Sequence, residues 1–160
     1  MSLRALPLGK VYRLLEPGPV VLVTTARKGR ANVMPMSWHT MMEFEPPLVG
    51  CVMSASHLSY ENLFATRECV LAIPTVEIAA QVVGCGNTLG RKVDKFARFG
   101  LTPLPASRVR APLVAECYAN LECRLADTSL ARKYNFLVLR VVKAWIDPAR
   151  QRPRTIHHMG

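Results

Sequence analysis

Two apolar runs separated by one short basic turn constrain this chain more than any other feature. Residues 20–26 read VVLVTTA and residues 31–38 read ANVMPMSW, with Arg27-Lys28-Gly29-Arg30 between them. Runs of this length and β-branched character, joined through a glycine-containing turn, predict a hairpin that feeds a sheet. Pro35 has no backbone N–H, so the second strand must lie at an edge, carry a bulge or leave the ladder early. Irregularities of that kind often border binding sites.

The rest of the chain repeats the theme of short strands broken by turns and small helices. Val11, Leu14 and Leu15 share one helical stripe, ended by Pro17-Gly18-Pro19. Pro46-Pro47 opens a strand over residues 48–54. Ser59 is then read as the N-cap of a helix reaching about Arg67, with Glu61 in its first turn. A buried strand covers 69–74. Thr75 is expected to cap a helix through Val83, with Ile78, Val82 and Val83 facing inward, and Gly84-Cys85-Gly86-Asn87 to break it. Residues 91–99 predict one more amphipathic helix, 101–112 a Pro-rich extended connection, and 113–126 and 136–147 two long strands. There is no repeat and no regular alternation of strand and helix. The expected fold is mainly β with short helices, an antiparallel barrel with helical excursions, in one domain over 1–160. Half of the 160 residues are hydrophobic, which excludes disorder and suffices for a sizeable core.

Charge and cysteine usage narrow the classes. Lys and Arg number 21 against 11 Asp and Glu, a net +10 that calls for an anionic partner: nucleic acid, a membrane surface or a phosphate-bearing small molecule. No apolar run approaches the roughly 20 residues of a membrane span. Pro7, Lys10, Arg13 and Glu16 interrupt any secretory segment, so a soluble cytoplasmic protein is expected. Cys51, Cys69, Cys85, Cys117 and Cys123 form no C-x-x-C pair, which argues for core thiols in a reducing compartment and against a disulfide scaffold or a cysteine-only metal site. Cys85, between two glycines, is a candidate reactive thiol, although no sequence feature lowers its pKa. His157-His158 would point to opposite faces of a strand and cannot both ligate one ion. No dinucleotide fingerprint, Walker loop or nucleophile elbow is present, so any reaction would be carried by a bound cofactor.

Three clusters carry candidate binding chemistry. In the first, Asn32, Met34, Pro35, Met36, Ser37 and Trp38, a strand bending at proline frees N–H donors for a flat heteroaromatic while Met and Trp supply polarisable walls. The alternative is an ordinary strand, with Trp38 in the core and the methionines filling gaps. The second cluster, Ser54, Ala55, Ser56, His57, Ser59, Tyr60 and Asn62, gathers hydroxyls and a histidine where a strand gives way to a helix, a natural anion site. Its alternative is helix capping by Ser59 beside a solvated turn. The third, Asn87 to Phe96, sets Arg91 and Lys95 one helical turn apart with Lys92 beside them, either to neutralise a phosphate or as a solvated face.

In order and spacing these clusters resemble the flavin reductase-like FMN-binding family, which includes flavoredoxins and the reductase components of two-component monooxygenases. The matching stretches are N-x-M-P-M-S-W-H (32–39), Pro46-Pro47, S-A-S-H-L-S-Y-E-N (54–62), E-C-V-L-A-I-P (68–74) and G-R-K-V-D-K-F (90–96), within a resemblance running from Val11 to Trp145. The resemblance implies an FMN-binding split β-barrel with antiparallel, Greek-key-like strands, usually a homodimer with the flavin near the subunit interface; FAD is the other candidate flavin. It sets Met34 to Trp38, after Asn32, along the isoalloxazine edge. Ser54, Ala55, Ser56, His57, Ser59 and Tyr60 surround the ribityl phosphate, Asn62 supports the turn, and Asn87, Arg91, Lys92, Lys95 and Phe96 close the site from one subunit or the other. Leu89 departs from the small polar residue common in relatives, and the chain stops at Gly160, earlier than many of them. The implied activity is hydride transfer from NAD(P)H to flavin N5, which needs no side-chain acid or base. An FMN-binding electron carrier reduced by a redox protein partner is the alternative. A basic nucleic-acid-binding barrel fits poorly, because Tyr60, Phe64, Phe96 and Phe99 fall in predicted helices while basic residues gather in turns and tails.

Overall fold

The computed structural model describes residues 2–160. Its strands are β1 (Arg4–Ala5), β2 (Val21–Arg27), β3 (Arg30–Met36), β4 (His39–Glu43), β5 (Leu48–Val52), β6 (Glu68–Ile73), β7 (Pro103–Leu104), β8 (Leu113–Val114), β9 (Ala119–Asp127) and β10 (Phe136–Ile146). Five short helices intervene: α1 (Tyr12–Leu15), α2 (Leu58–Thr66), α3 (Ala79–Gly86), α4 (Lys95–Phe99) and α5 (Ala131–Tyr134). One antiparallel sheet runs in the order β3-β2-β6-β9-β10-β5-β4, with β1 added to β10, and it does not close on itself. The fold is a split β-barrel whose main strand path ends at β3 and β4.

The hairpin forms as expected. Lys28 and Gly29 both have positive φ (52° and 75°), the backbone that a two-residue hairpin loop requires and that glycine adopts without strain. Pro35 pairs with Leu22 from the edge strand β3, where its missing N–H breaks no ladder. The central strands read as unbroken apolar runs because both of their faces are covered. Val21, Val23, Leu71 and Ile73 enter one core inside the curved sheet, with Leu121, Leu137 and Leu139. Leu22, Val70 and Ala72 enter a second core on the outer face, beneath Val82, Phe96, Leu101 and Val109. The 101–112 connection is thus the lid of a second core.

Several local expectations are corrected. Ser59 does not cap α2: His57 holds the N-cap position, and Ser59 is fully buried. Thr75 heads a 3₁₀ turn, Val76–Ile78, and accepts a hydrogen bond from Arg150 instead of capping a helix. Gly84 and Gly86 do not break α3, which continues to Gly86. They are spacers: a Cβ at Gly84 would run into the Phe99 ring, and one at Gly86 would come within 3.1 Å of Pro35. Val83, expected to face inward, is 61% exposed. The 91–99 helix begins only at Lys95, because Asp94 accepts the Ala97 N–H (3.2 Å) and starts the helix there. Arg91 and Lys92 therefore sit in a preceding turn, so Arg91 and Lys95 are not one helical turn apart. Residues 113–126 split into β8, which pairs with β7, and β9; the Asn120 carboxamide takes up both the N–H and the C=O of Val114 (2.8 and 3.2 Å). Strands β1, β4 and β7 have no counterpart in the sequence-based expectation; β7 lies inside the expected 101–112 connection and pairs with β8 as a separate two-stranded sheet.

Candidate functional site

A cleft of about 290 Å3 lies between the edge strand β3, the start of α2, the end of α3 and the turn leading into α4. It brings together parts of all three sequence clusters. Asn32, Met34 and Pro35 come from the first, Ser56, His57 and Ser59 from the second, and Arg91, Lys92 and Lys95 from the third. Thr88, Leu89 and Gly90, inside the third cluster though not named singly, line it too, and Leu58, Cys85 and Gly86 are lining residues that the clusters did not name for binding. Gly90 stood inside the G-R-K-V-D-K-F stretch, but only the fold brings it against Asn32.

Hydrogen bonds and close packing fasten the walls to one another. The Asn32 carboxamide donates to the Ser59 hydroxyl (2.9 Å), both groups being buried, and so locks β3 to α2. Asn62, one turn on, donates to Thr25 (3.1 Å) and locks α2 to β2. Gly90 approaches the Asn32 amide oxygen so closely that a Cβ would collide with it. Arg30 donates to the Gly90 carbonyl (3.0 Å) from the hairpin side. The 87–92 segment is therefore held against the sheet from two directions.

Chemically, the cleft has an apolar wall of Met34, Pro35 and Leu89, a polar corner at the first turn of α2, and three cations. Ser54 and Ser56 bond through their hydroxyls (2.9 Å), and the Ser56 N–H reaches Ser54 (3.3 Å), which shapes the corner into a tight turn. The first N–H groups of any helix lack intrahelical acceptors and favour an anion. Lys95 is 5% exposed; its ammonium carries three N–H groups, yet among the described residues it finds one acceptor, the Cys85 carbonyl (2.8 Å). Burial pushes the Lys95 pKa down, and it pushes the Cys85 thiol up, so Cys85 is not an activated nucleophile. A ligand that is flat at one end, anionic at the other and rich in acceptors would meet a buried ammonium with N–H groups to spare, an apolar wall and positive charge.

Other predicted site residues lie elsewhere. Met36 is in the inner core and Phe96 in the outer one. Trp38 is 68% exposed, neither in the core nor lining the cleft. Ser37, Ser54, Ala55 and Asn87 flank the cleft without lining it, and Tyr60 stacks on Phe64 with ring centroids 4.4 Å apart. His157 pairs with the Thr155 hydroxyl (3.0 Å). Among the described residues no group of three or more His, Cys, Asp and Glu could hold a metal ion, and no helix is long and apolar enough to cross a membrane.

The open antiparallel sheet with its edge-strand cleft is the split-barrel architecture of its solved structural neighbours. The family model described as a flavin reductase like domain matches residues 13–160, and the chain belongs to that family. A solved structure of an FMN-binding domain of a flavin reductases-like enzyme from Shewanella baltica superposes with a TM-score of 0.87 at 28% identity, covering 91% of this chain and 78% of that one. An uncharacterised protein of Escherichia coli K12 is 34% identical over 92% of this chain and 86% of its own length. The FMN reductase (NADH) RutF of Bradyrhizobium diazoefficiens is 26% identical over 76% of this chain and 65% of its own length.

Proposed function

We propose that this protein is an NAD(P)H-dependent flavin reductase that holds FMN in the cleft between β3, α2 and the 87–95 segment. The observation that carries the reading is the convergence of three segments far apart in sequence on one cavity with an apolar wall and a cationic, hydroxyl-bearing end. The FMN-binding structure at 28% identity and the NADH-dependent relative support it. When bound, FMN would supply the hydride acceptor for a reduced nicotinamide. The residues of the chain bind and orient it. Met34, Pro35 and Leu89 would exclude water from one side of the ring system, Ser56 and the first turn of α2 would take the phosphate, and Arg91 and Lys92 would neutralise it. Lys95 would donate to a ring acceptor and stabilise negative charge on the reduced flavin. No general acid or base is needed.

The same reading takes the protein as a homodimer that pairs through the edge strand β4, where Met42 (49%), Phe44 (60%) and the neighbouring Trp38 are exposed. Five free, buried cysteines support a reducing compartment such as the cytoplasm. The deciding experiment is titration of purified protein with FMN by flavin fluorescence, then anaerobic mixing of the loaded protein with NADH and with NADPH. Quenching of FMN fluorescence and rapid bleaching of its absorbance are expected. Binding without bleaching would replace the reductase by an electron carrier served by a redox protein partner, and no binding at all would end the flavin reading.

A further inference from the structure

Two walls of the cleft are separate pieces of chain. The polar corner belongs to the start of α2, whereas Leu89, Arg91 and Lys92 belong to the 87–92 segment. Arg30 and the close approach of Gly90 to Asn32 tie that segment to β3, but its bond to α2 is ionic. Glu61, in the first turn of α2, accepts from Arg91 (2.7 Å) through one carboxylate oxygen and from Arg27 of β2 (2.8 Å) through the other. Glu61 itself does not line the cleft. It lines a neighbouring cavity of about 460 Å3 together with Arg27, Lys28, Arg30 and Arg91, and it is the acid among those four cations. Cations gathered so closely repel one another, so without Glu61 the Arg91 side chain is pushed away from the hairpin and the 87–92 wall goes with it. Arg91 gives one nitrogen to Glu61, and its guanidinium keeps further N–H groups for a ligand anion. The three side chains are 37% to 56% exposed, so the bridge opens to water at small cost. A contact of this kind adds little to global stability but decides where a loop rests.

Resting on the reading of the cleft as a flavin site, we propose that Glu61 is a positioning residue: through Arg91 it holds the 87–92 wall closed over bound FMN, and opening of that wall lets the flavin leave. Two effects of its charge have opposite signs, which makes the role readable. A carboxylate near a phosphate repels it, so by charge alone Glu61→Gln would slow FMN release. Loss of the bridge frees the wall and speeds release.

Release is followed by stopped-flow fluorescence after FMN-loaded protein is mixed with excess apoflavodoxin, which traps free FMN. Glu61→Gln is expected to speed release about fivefold, the size of two exposed ion pairs, while the melting temperature barely moves. Arg27→Gln should speed it less, and should add nothing in the Glu61→Gln background because the bridge is already gone; charge effects alone would add. In the flavin-free protein, amide hydrogen exchange at Lys92, whose N–H bonds the Leu89 carbonyl (3.1 Å), should quicken in Glu61→Gln. Slower or unchanged release in Glu61→Gln overturns the proposal, and so does faster release with exchange over 87–92 unmoved. A parent protein that binds no flavin removes the cleft reading and this proposal with it, whereas FMN binding with release and exchange unmoved by Glu61→Gln removes the positioning role alone.

Discussion

Ser59 and Asn32 show how a residue that reads as a ligand group becomes a fastener. Both are buried, 27 positions apart, and bonded to each other. Asn32→Ala would strand the Ser59 hydroxyl without its donor and is expected to destabilise the protein by about 1–3 kcal/mol in urea unfolding. Ser56 is exposed and bonded only within its own turn. Ser56→Ala should weaken FMN binding while the unfolding midpoint barely moves, a separation readable from fluorescence titration beside a thermal melt. Lys95 bonds the Cys85 carbonyl (2.8 Å), but at a cost. Folding buries its charge and lowers its pKa, so the charged form opposes folding at neutral pH, and that cost fades as pH rises through the lowered pKa. Lys95→Met is therefore expected to leave stability unchanged or raised while FMN affinity falls about tenfold, the trade that a binding residue makes and a structural one does not.

At the scale of elements, two connections matter more than the helices beside them. The 87–92 segment reaches the sheet only because Gly90 has no side chain. Gly90→Ala would drive a methyl into Asn32, whose other amide atom is committed to Ser59, so the segment has to retreat and flavin affinity should drop along with the melting temperature. The 101–112 connection is pinned by Glu122. Its carboxylate accepts from the Ser107 N–H and hydroxyl (both 3.0 Å), the Arg108 N–H and the Trp145 indole (2.7 Å). Burial alone would raise this carboxyl; the donors, Trp145 first, outweigh it and hold the pKa below the usual value. A carboxyl depressed in the folded state adds stability above its unfolded pKa of about 4.3 and loses it as pH falls through the folded value. Glu122→Gln should cost about 1–3 kcal/mol at pH 7, and the gap to the parent should shrink in urea melts carried out on the acid side of that unfolded value.

For the whole molecule, the open sheet is the governing fact. The main strand path ends in two edges, β3 and β4, and the two are treated differently. Edge β3 is guarded by Pro35 and covered by α3 and the 87–92 segment, which makes it a wall of the cleft. Edge β4 carries Met42 and leads into Phe44, with Trp38 just before it, and Tyr12 meets the Phe44 ring edge-on with centroids 5.0 Å apart. Replacing Trp38 and Phe44 together by Ser should convert a dimer into a monomer on size-exclusion chromatography with light scattering, without unfolding the chain. A parent protein that already elutes as a monomer would remove the pairing through β4.

Much of this was legible in the residues themselves. The β2–β3 hairpin, the irregularity at Pro35 and the buried strands follow from turn chemistry, a missing N–H and unbroken apolar runs, all of which act within a few residues; that Pro35 sits on an edge strand was settled by the sheet order. The three clusters were legible as chemistry too, since hydroxyls, cations and sulfur keep their character wherever they are placed. What distance in sequence hides is partnership. Whether Ser59 faces a ligand or Asn32, whether Gly84 breaks a helix or admits Phe99, and whether Arg91 lies beside the hydroxyl-bearing turn of α2 depend on contacts between segments tens of residues apart. Those contacts are made only when the sheet folds, because each local conformation is cheap to change and the burial that selects one of them is supplied by the rest of the molecule.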